Sequence, residues 1–217
     1  LTSIADAIAQ AKSQANSVPA TVVENVAAPS IVPGRRLTMA DLGAQSVTVD
    51  NWLQVTEHGI QVAKSADLLD SIDVEIDMNE IVLCYMVRYG KKPPNYRKSY
   101  DGVTTVGSSK PWEVTIREAQ TFDPECRGQY SAAEVPMTLT GDLSLPKEKK
   151  VIEAGTRTGY TTSVTALAEF QRFYNEVERA DLMGQKVLVK VGFKKKTGNG
   201  NAWGVITYTL VGPAESN

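Results

Sequence analysis

The sequence predicts a β-rich α+β fold: a curved antiparallel sheet or small barrel, with one main helix placed before a C-terminal hairpin. Three observations carry that prediction. Short apolar runs alternating with polar residues recur between residues 46 and 145, the period-two signature of half-buried strands. One stripe at helical spacing follows, formed by Val164, Leu167, Phe170, Tyr174 and Val177. The segment 186–211 then alternates on two arms about a glycine–asparagine turn.

Along the chain, residues 1–17 place Leu1, Ile4, Ile8 and Ala11 on one side of a helix, a thin stripe that needs a partner surface to be stable. Residues 18–36 carry three prolines and few charges and read as an extended arm. An arm of this kind, 1–36, reads either as a contact with a neighbouring subunit, and hence a homo-oligomer, or as a frayed tail; the homo-oligomer is the expectation. The body, 37–217, is expected to be one globular domain starting near Leu37. Residues 46–55 and 58–62 alternate like strands, and so do Val74, Ile76 and Met78 between Glu75 and Asp77. Ile81–Tyr89 is apolar on both faces and marks a central strand that stops at the adjacent prolines of GKKPPN. The segment 111–120, PWEVTIREAQ, fits two periods: Pro111 suits a first helical turn, whereas Trp112, Val114 and Ile116 alternate like a strand. Residues 133–145 hold short strand material. The helix is expected over 163–183, with Thr162 or Ser163 as N-cap and Gly184 as terminator.

The final hairpin permits a register argument. Val187, Val189, Val191 and Phe193 share one face of the first arm, and Ile206, Tyr208 and Leu210 share one face of the second. Both sets reach one core only if the pairing respects parity. Val191 opposite Ile206 and Val189 opposite Tyr208 does so, leaving residues 197–200 as the loop. Lys194 then lies opposite Trp203, and Lys190 opposite Thr207. One common core of Tyr85, Val87, Leu167, Phe170, Val189, Val191, Ile206 and Leu210 follows from these faces.

The bulk numbers limit function. Of 217 residues, 42% are apolar and 22% charged, ordinary values for a globular chain, and 23 Lys and Arg against 25 Asp and Glu give a net charge of −2. The chain is not a generally basic coat, so polyanion binding requires local clustering of cations. Cys84 and Cys126 lack metal spacing, and Cys84 sits inside an apolar run as a small hydrophobe. No apolar run reaches the length of a membrane span. The sequence starts at Leu1 without a charged-then-apolar pattern, which leaves a processed or truncated start open; the cysteine usage fits a reducing compartment, and a cytoplasmic location is the expectation.

Catalytic signatures are missing from the sequence. His58 is the single histidine and lies in a polar turn; there is no GxSxG elbow, no phosphate-binding P-loop and no GxGxxG. The carboxylates of SIDVEIDMNE are strung along a strand instead of converging. The expectation is therefore no enzyme, no metal and no cofactor.

Cations do cluster with rings in two places. RYGKKPPNYRKSY joins Arg88, Lys91, Lys92, Arg97 and Lys98 to Tyr89, Tyr96 and Tyr100. The last hairpin joins Lys190, Lys194 and Lys195 to Trp203. Cations displace counterions from phosphates, and rings stack on bases without reading them. A third segment, GTRTGYTTS, offers Arg157 and a helix N-terminus to a phosphate. Two basic-aromatic tips flanking a β-rich body resemble, in outline, the OB-fold single-stranded DNA-binding proteins of tailed phages. That resemblance implies an OB-like barrel, a strand held between Tyr89, Lys91, Lys92, Tyr96, Arg97 and Lys98 on one wall and Lys190, Lys194, Lys195 and Trp203 on the other, and the host cytoplasm as the place of action. The chain departs from that pattern at its end, GPAESN, where such proteins often carry an acidic tail. The competing expectation is a structural subunit of a virion or other assembly, with its arm exchanged onto a neighbour.

Overall fold

The computed structural model describes residues 47–62, 64–91, 93–198 and 200–214. The expected N-terminal helix and arm, the boundary near Leu37 and Lys92 lie outside the described residues.

The described chain is β-rich with two helices. In order it forms β1 (Asn51–Thr56), β2 (Gly59–Val62), β3 (Ser71–Asp77), β4 (Val82–Tyr89) and β5 (Asn95–Ser99), then helix α1 (Trp112–Phe122). There follow β6 (Gln129–Leu139), β7 (Leu143–Leu145), β8 (Lys150–Ile152), β9 (Arg157–Thr161), helix α2 (Val164–Arg179), β10 (Lys186–Gly198) and β11 (Asn201–Pro213). Nine strands make one mixed sheet, and β7–β8 form a separate pair.

Strand β6 is the spine. Along one edge it pairs antiparallel with β9, which pairs in parallel with β1 through Asn51–Thr158 and Trp52–Gly159; β2 follows. Along the other edge it meets two partners in succession, β3 at Thr138–Leu139 and β4 at Gln129–Glu134. The sheet therefore forks: β10 and β11 extend the β3 branch, and β5 extends the β4 branch. Pro136 stands at the fork, opposite Gly159 on the β9 edge and beside the gap between β3 and β4 on the other. Its missing N–H costs no ladder bond at that gap, which is how a proline survives in a central strand. The sheet is not closed into a barrel, and its parallel β1–β9 pair makes it mixed instead of antiparallel. Its two ends do approach one another: a Cβ built on Gly204 of β11 would overlap the Thr56 carbonyl oxygen of β1. Only glycine permits that contact.

The ambiguous segment after Pro111 is helical. Trp112, Thr115 and Ala119 are its buried residues, at i, i+3 and i+7, whereas Val114 is exposed and breaks the strand parity. Glu113 and Arg117 bridge its outer face at 2.8 Å, and the Trp112 indole donates to Gln129 Oε1 at 2.6 Å. The main helix is capped as expected, with Ser163 Oγ accepting from the Ala166 N–H, but it stops at Arg179, short of Gly184.

The core splits in a way the strand faces did not predict. Phe170, Phe173 and Val177 of α2 pack with Val189, Val191 and Ile206, and Phe173 stacks on Tyr208 at 5.1 Å. Each such buried side chain contributes about 2–3 kcal/mol. Val87 instead packs with Trp112 and Ala119 beneath α1, with Tyr85 against them. Tyr85, Leu167 and Leu210 are half-buried. Two helix-covered cores arise because the fork gives the β4 branch its own helix, and a third, smaller cluster of Cys84, Met86 and Ala132 lies on the reverse face.

The hairpin keeps the expected parity but shifts by two residues. Val191 pairs with Tyr208, Val189 with Leu210, Lys190 with Thr209, and Lys196, not Lys194, lies opposite Trp203. The loop is only residues 199–200, with Gly200 at φ 73°. A two-residue loop matches the twist of its strands better than the expected four-residue one. An irregularity between Leu188 and Val189 absorbs the remainder.

Candidate nucleic-acid interface

Both helices pack on the face of β4 and β6 that carries Val87, Ala133 and Val135. Register places a different set on the reverse face. Tyr96 pairs with Arg88, Lys98 with Met86, and Met86 with Tyr130. The same parity then brings Ala132 beside Cys84, Glu134 between Val82 and Thr161, and Gly159 beside Trp52. Tyr100 and Tyr130 lie against Cys84, Met86 and Ala132. The result is a sheet face with Tyr96, Tyr130, Tyr100 and Trp52 spread across it, and Arg88 and Lys98 between them.

A buried carboxylate organises that face. Glu134, 1% exposed, accepts from Lys98 Nζ at 2.7 Å, from Tyr100 Oη at 2.8 Å and from Thr161 Oγ1 at 3.4 Å. Lys98 Nζ also sits 5.6 Å from the Trp52 ring and 5.2 Å from the Tyr100 ring. Burial alone would lower the Lys98 pKa, but the bonds to Glu134 and Tyr100 outweigh it and raise it above the ordinary lysine value. Lys98 is thus committed to Glu134 and holds the rings in place; it is not a free phosphate ligand. Burial pushes the Tyr130 phenol up to about 12, with Tyr96 and Cys84 adding to the shift and Arg88 opposing it. Burial likewise pushes the Cys84 thiol up to about 12, which leaves it an unreactive core group.

The other expected residues separate. Arg88 and Arg97 are exposed and have no ion-pair partner among the described residues. Tyr89 is half-buried and meets Phe122 edge-on at 5.8 Å. Lys91 pairs with Glu125 at 3.2 Å. On the hairpin, Lys195 closes on Glu57 at 2.9 Å and Lys196 on Glu169 at 2.9 Å, while Trp203 packs against the core. Lys190 and Lys194 are exposed and, among the described residues, have no ion-pair partner and no exposed ring beside them. Arg157 belongs to β9 and donates to Glu80 at 2.7 Å, so the expected phosphate loop is a strand leading to a helix cap.

The two tips do not face one groove. Strands β3 and β4 run in the same direction along β6; the β4–β5 tip lies beyond Tyr89, and the β10–β11 tip lies beyond Ser71. They project from opposite ends of that line. Sequence reasoning missed Trp52 and Tyr130, because their place beside Arg88 and Lys98 depends on pairings across distant strands. The only local signal was the alternation of Trp52 and Tyr130 within their own strands.

Among the described residues, no group of three or more His, Cys, Asp or Glu side chains is arranged to hold a metal ion, and no helix is long and apolar enough to cross a membrane. Compared with known proteins, the chain matches no family model, no curated protein and no solved structure.

Proposed function

We propose that the protein is a non-catalytic single-stranded nucleic-acid-binding protein that takes the strand on the β5–β4–β6 face, in keeping with its outline resemblance to the phage OB-fold binders. The observation that carries this reading is the pairing of Arg88 with Tyr96, both exposed, directly beside Tyr130 and the Lys98–Trp52 contact. Rings spaced along a sheet supply sequence-tolerant stacking, about 1–3 kcal/mol per base, and an unpaired guanidinium supplies a phosphate contact. Because Lys98, one of the two cations on this face, is already paired with Glu134, stacking outweighs counterion release. Binding to a labelled oligonucleotide should therefore fall only gently with salt, with a slope of about −0.7 to −2, equal to one to three phosphates. The measurement is fluorescence anisotropy at several salt concentrations. No binding by the parent chain at low salt would overturn this reading and leave the arm-exchanging assembly subunit as the better account.

A further inference from the structure

We propose that the groove between α1 and the β4–β5 ribbon is a second nucleotide subsite, on the side of the ribbon opposite Tyr96 and Tyr130. The inference rests on the reading above and extends it to a surface that reading does not use. The groove measures about 520 Å³, within the range of small-ligand sites. Arg97 lines it, and among the described residues no carboxylate pairs with its guanidinium. Phe122 lines it too: its side chain, at the end of α1, is 70% exposed and leans edge-on against Tyr89. An exposed phenylalanine ring lining the same groove as an arginine with no ion pair among the described residues supplies the pair of groups that a base with its phosphate requires. Lys110 lies on the far wall, held by both oxygens of Glu118 at 2.7 and 2.8 Å. That pair adds no net charge, so a bare phosphate meets one cation only, whereas a nucleotide gains the ring as well.

Among the described residues, no strand covers the outer edge of β5 between the two faces. Strand β5 pairs only with β4. Its outer edge is occupied at Lys98, whose carbonyl accepts from the Val106 N–H at 2.9 Å. Between Asn95 and Arg97 no such bond from another described residue covers the edge, and residues 96 and 97 point to opposite faces. A strand stacked on Tyr96 can turn round that edge and place its next unit against Phe122.

The test uses the full chain with deoxyadenosine monophosphate, inorganic phosphate and a twenty-nucleotide deoxyadenosine oligomer as probes. Phe122→Ala and Arg97→Gln change exposed side chains, and circular dichroism checks that each remains folded. Each variant should weaken oligomer binding about 5–30-fold, and the mononucleotide should shift the Phe122 ring resonances of the parent more strongly than phosphate does. Full-affinity oligomer binding by both variants, while Tyr130→Ala still weakens it, would remove the subsite and leave the proposed function standing. Equal shifts with phosphate alone would show an adventitious anion site and also overturn the proposal. A parent that binds no oligomer overturns both readings together.

Discussion

The β4–β5 ribbon and the β10–β11 hairpin look alike as sequence and differ as structure. Both are basic, both carry rings, and both end in a turn built from glycine, proline or asparagine. In the hairpin, carboxylates from the β1–β2 turn and from α2 neutralise Lys195 and Lys196, and Trp203 packs on the core. The hairpin is thereby tied to the body. On the ribbon, Arg88, Tyr96 and Arg97 face solvent, and the one deeply held cation, Lys98, braces Trp52 and Tyr100 through Glu134. The difference shows that a basic-aromatic segment is available to a ligand only where the fold brings no carboxylate opposite it.

The comparison breaks most sharply at Phe170. It touches Tyr208 of the hairpin at 5.7 Å, so Phe170→Ala should cost about 3–5 kcal/mol in chemical denaturation if the hairpin is part of the core. A loss under 1 kcal/mol would mean the hairpin stands apart from the body. Glu134→Gln comes next. Removing the charge strands Lys98 in a half-buried place, and a loss on the order of 2–4 kcal/mol is expected, toward the low side for a buried pair because Lys98 reaches solvent.

A smaller effect separates the two regions by function. Tyr130→Ala should weaken oligonucleotide binding by about 1–3 kcal/mol, whereas Trp203→Ala should lower the melting temperature and leave binding by the folded fraction unchanged. The reverse pattern in anisotropy titrations would return the site to the hairpin. Finer still, Arg88→Gln should reduce the salt slope by roughly 0.7, and Lys190→Gln combined with Lys194→Gln should not change it.

The smallest effect is the response to pH. Hydrogen bonds from Lys195 and Lys196, helped by their charges, hold the Glu57 and Glu169 carboxyls below the usual 4.5. Their contribution is complete above that ordinary value and is lost as pH falls through the lower folded-state values. Lys98 has a raised pKa, so its contribution is complete below the ordinary 10.5 and fades as pH rises through its higher folded value. The protection factors of the hairpin amides, taken against intrinsic exchange at the same pH, should therefore fall in acid, below about pH 4. Hairpin exchange that shows no such acid step would indicate that the two tethers do not hold it.

The helix at α2, its cap at Thr162 or Ser163, the hairpin and the core-facing set Val187, Val189, Val191 and Ile206 were legible in the sequence because each depends on neighbours within a turn or two, whereas the face read as solvated carries the buried Val205 and the core-packed Trp203. The hairpin register slipped by two because parity restricts a pairing only to steps of two, and the loop length had to choose among them. Segment 111–120 was ambiguous until Val87 and the rest of the β4 branch supplied a partner for its helical face. The parallel β1–β9 pair, the fork and the grouping of Trp52 and Tyr130 with Lys98 are products of distant pairings with no local trace. Glu134 shows the same point: it reads as one acidic residue in SAAEVPM, and only the fold surrounds it with Lys98, Tyr100 and Thr161.

The proline at the fork has an evolutionary consequence. Because β6 changes partners at Pro136, the ribbon branch and the hairpin branch share a rail but no ladder bond with each other. Residues inserted between Asp77 and Val82, or into the ribbon's turn, can be absorbed without re-registering β10 on β3. The ribbon can thus vary in length and charge while the hairpin branch holds the body together, and a lineage can explore new ligands on one arm of the sheet at little risk to the other.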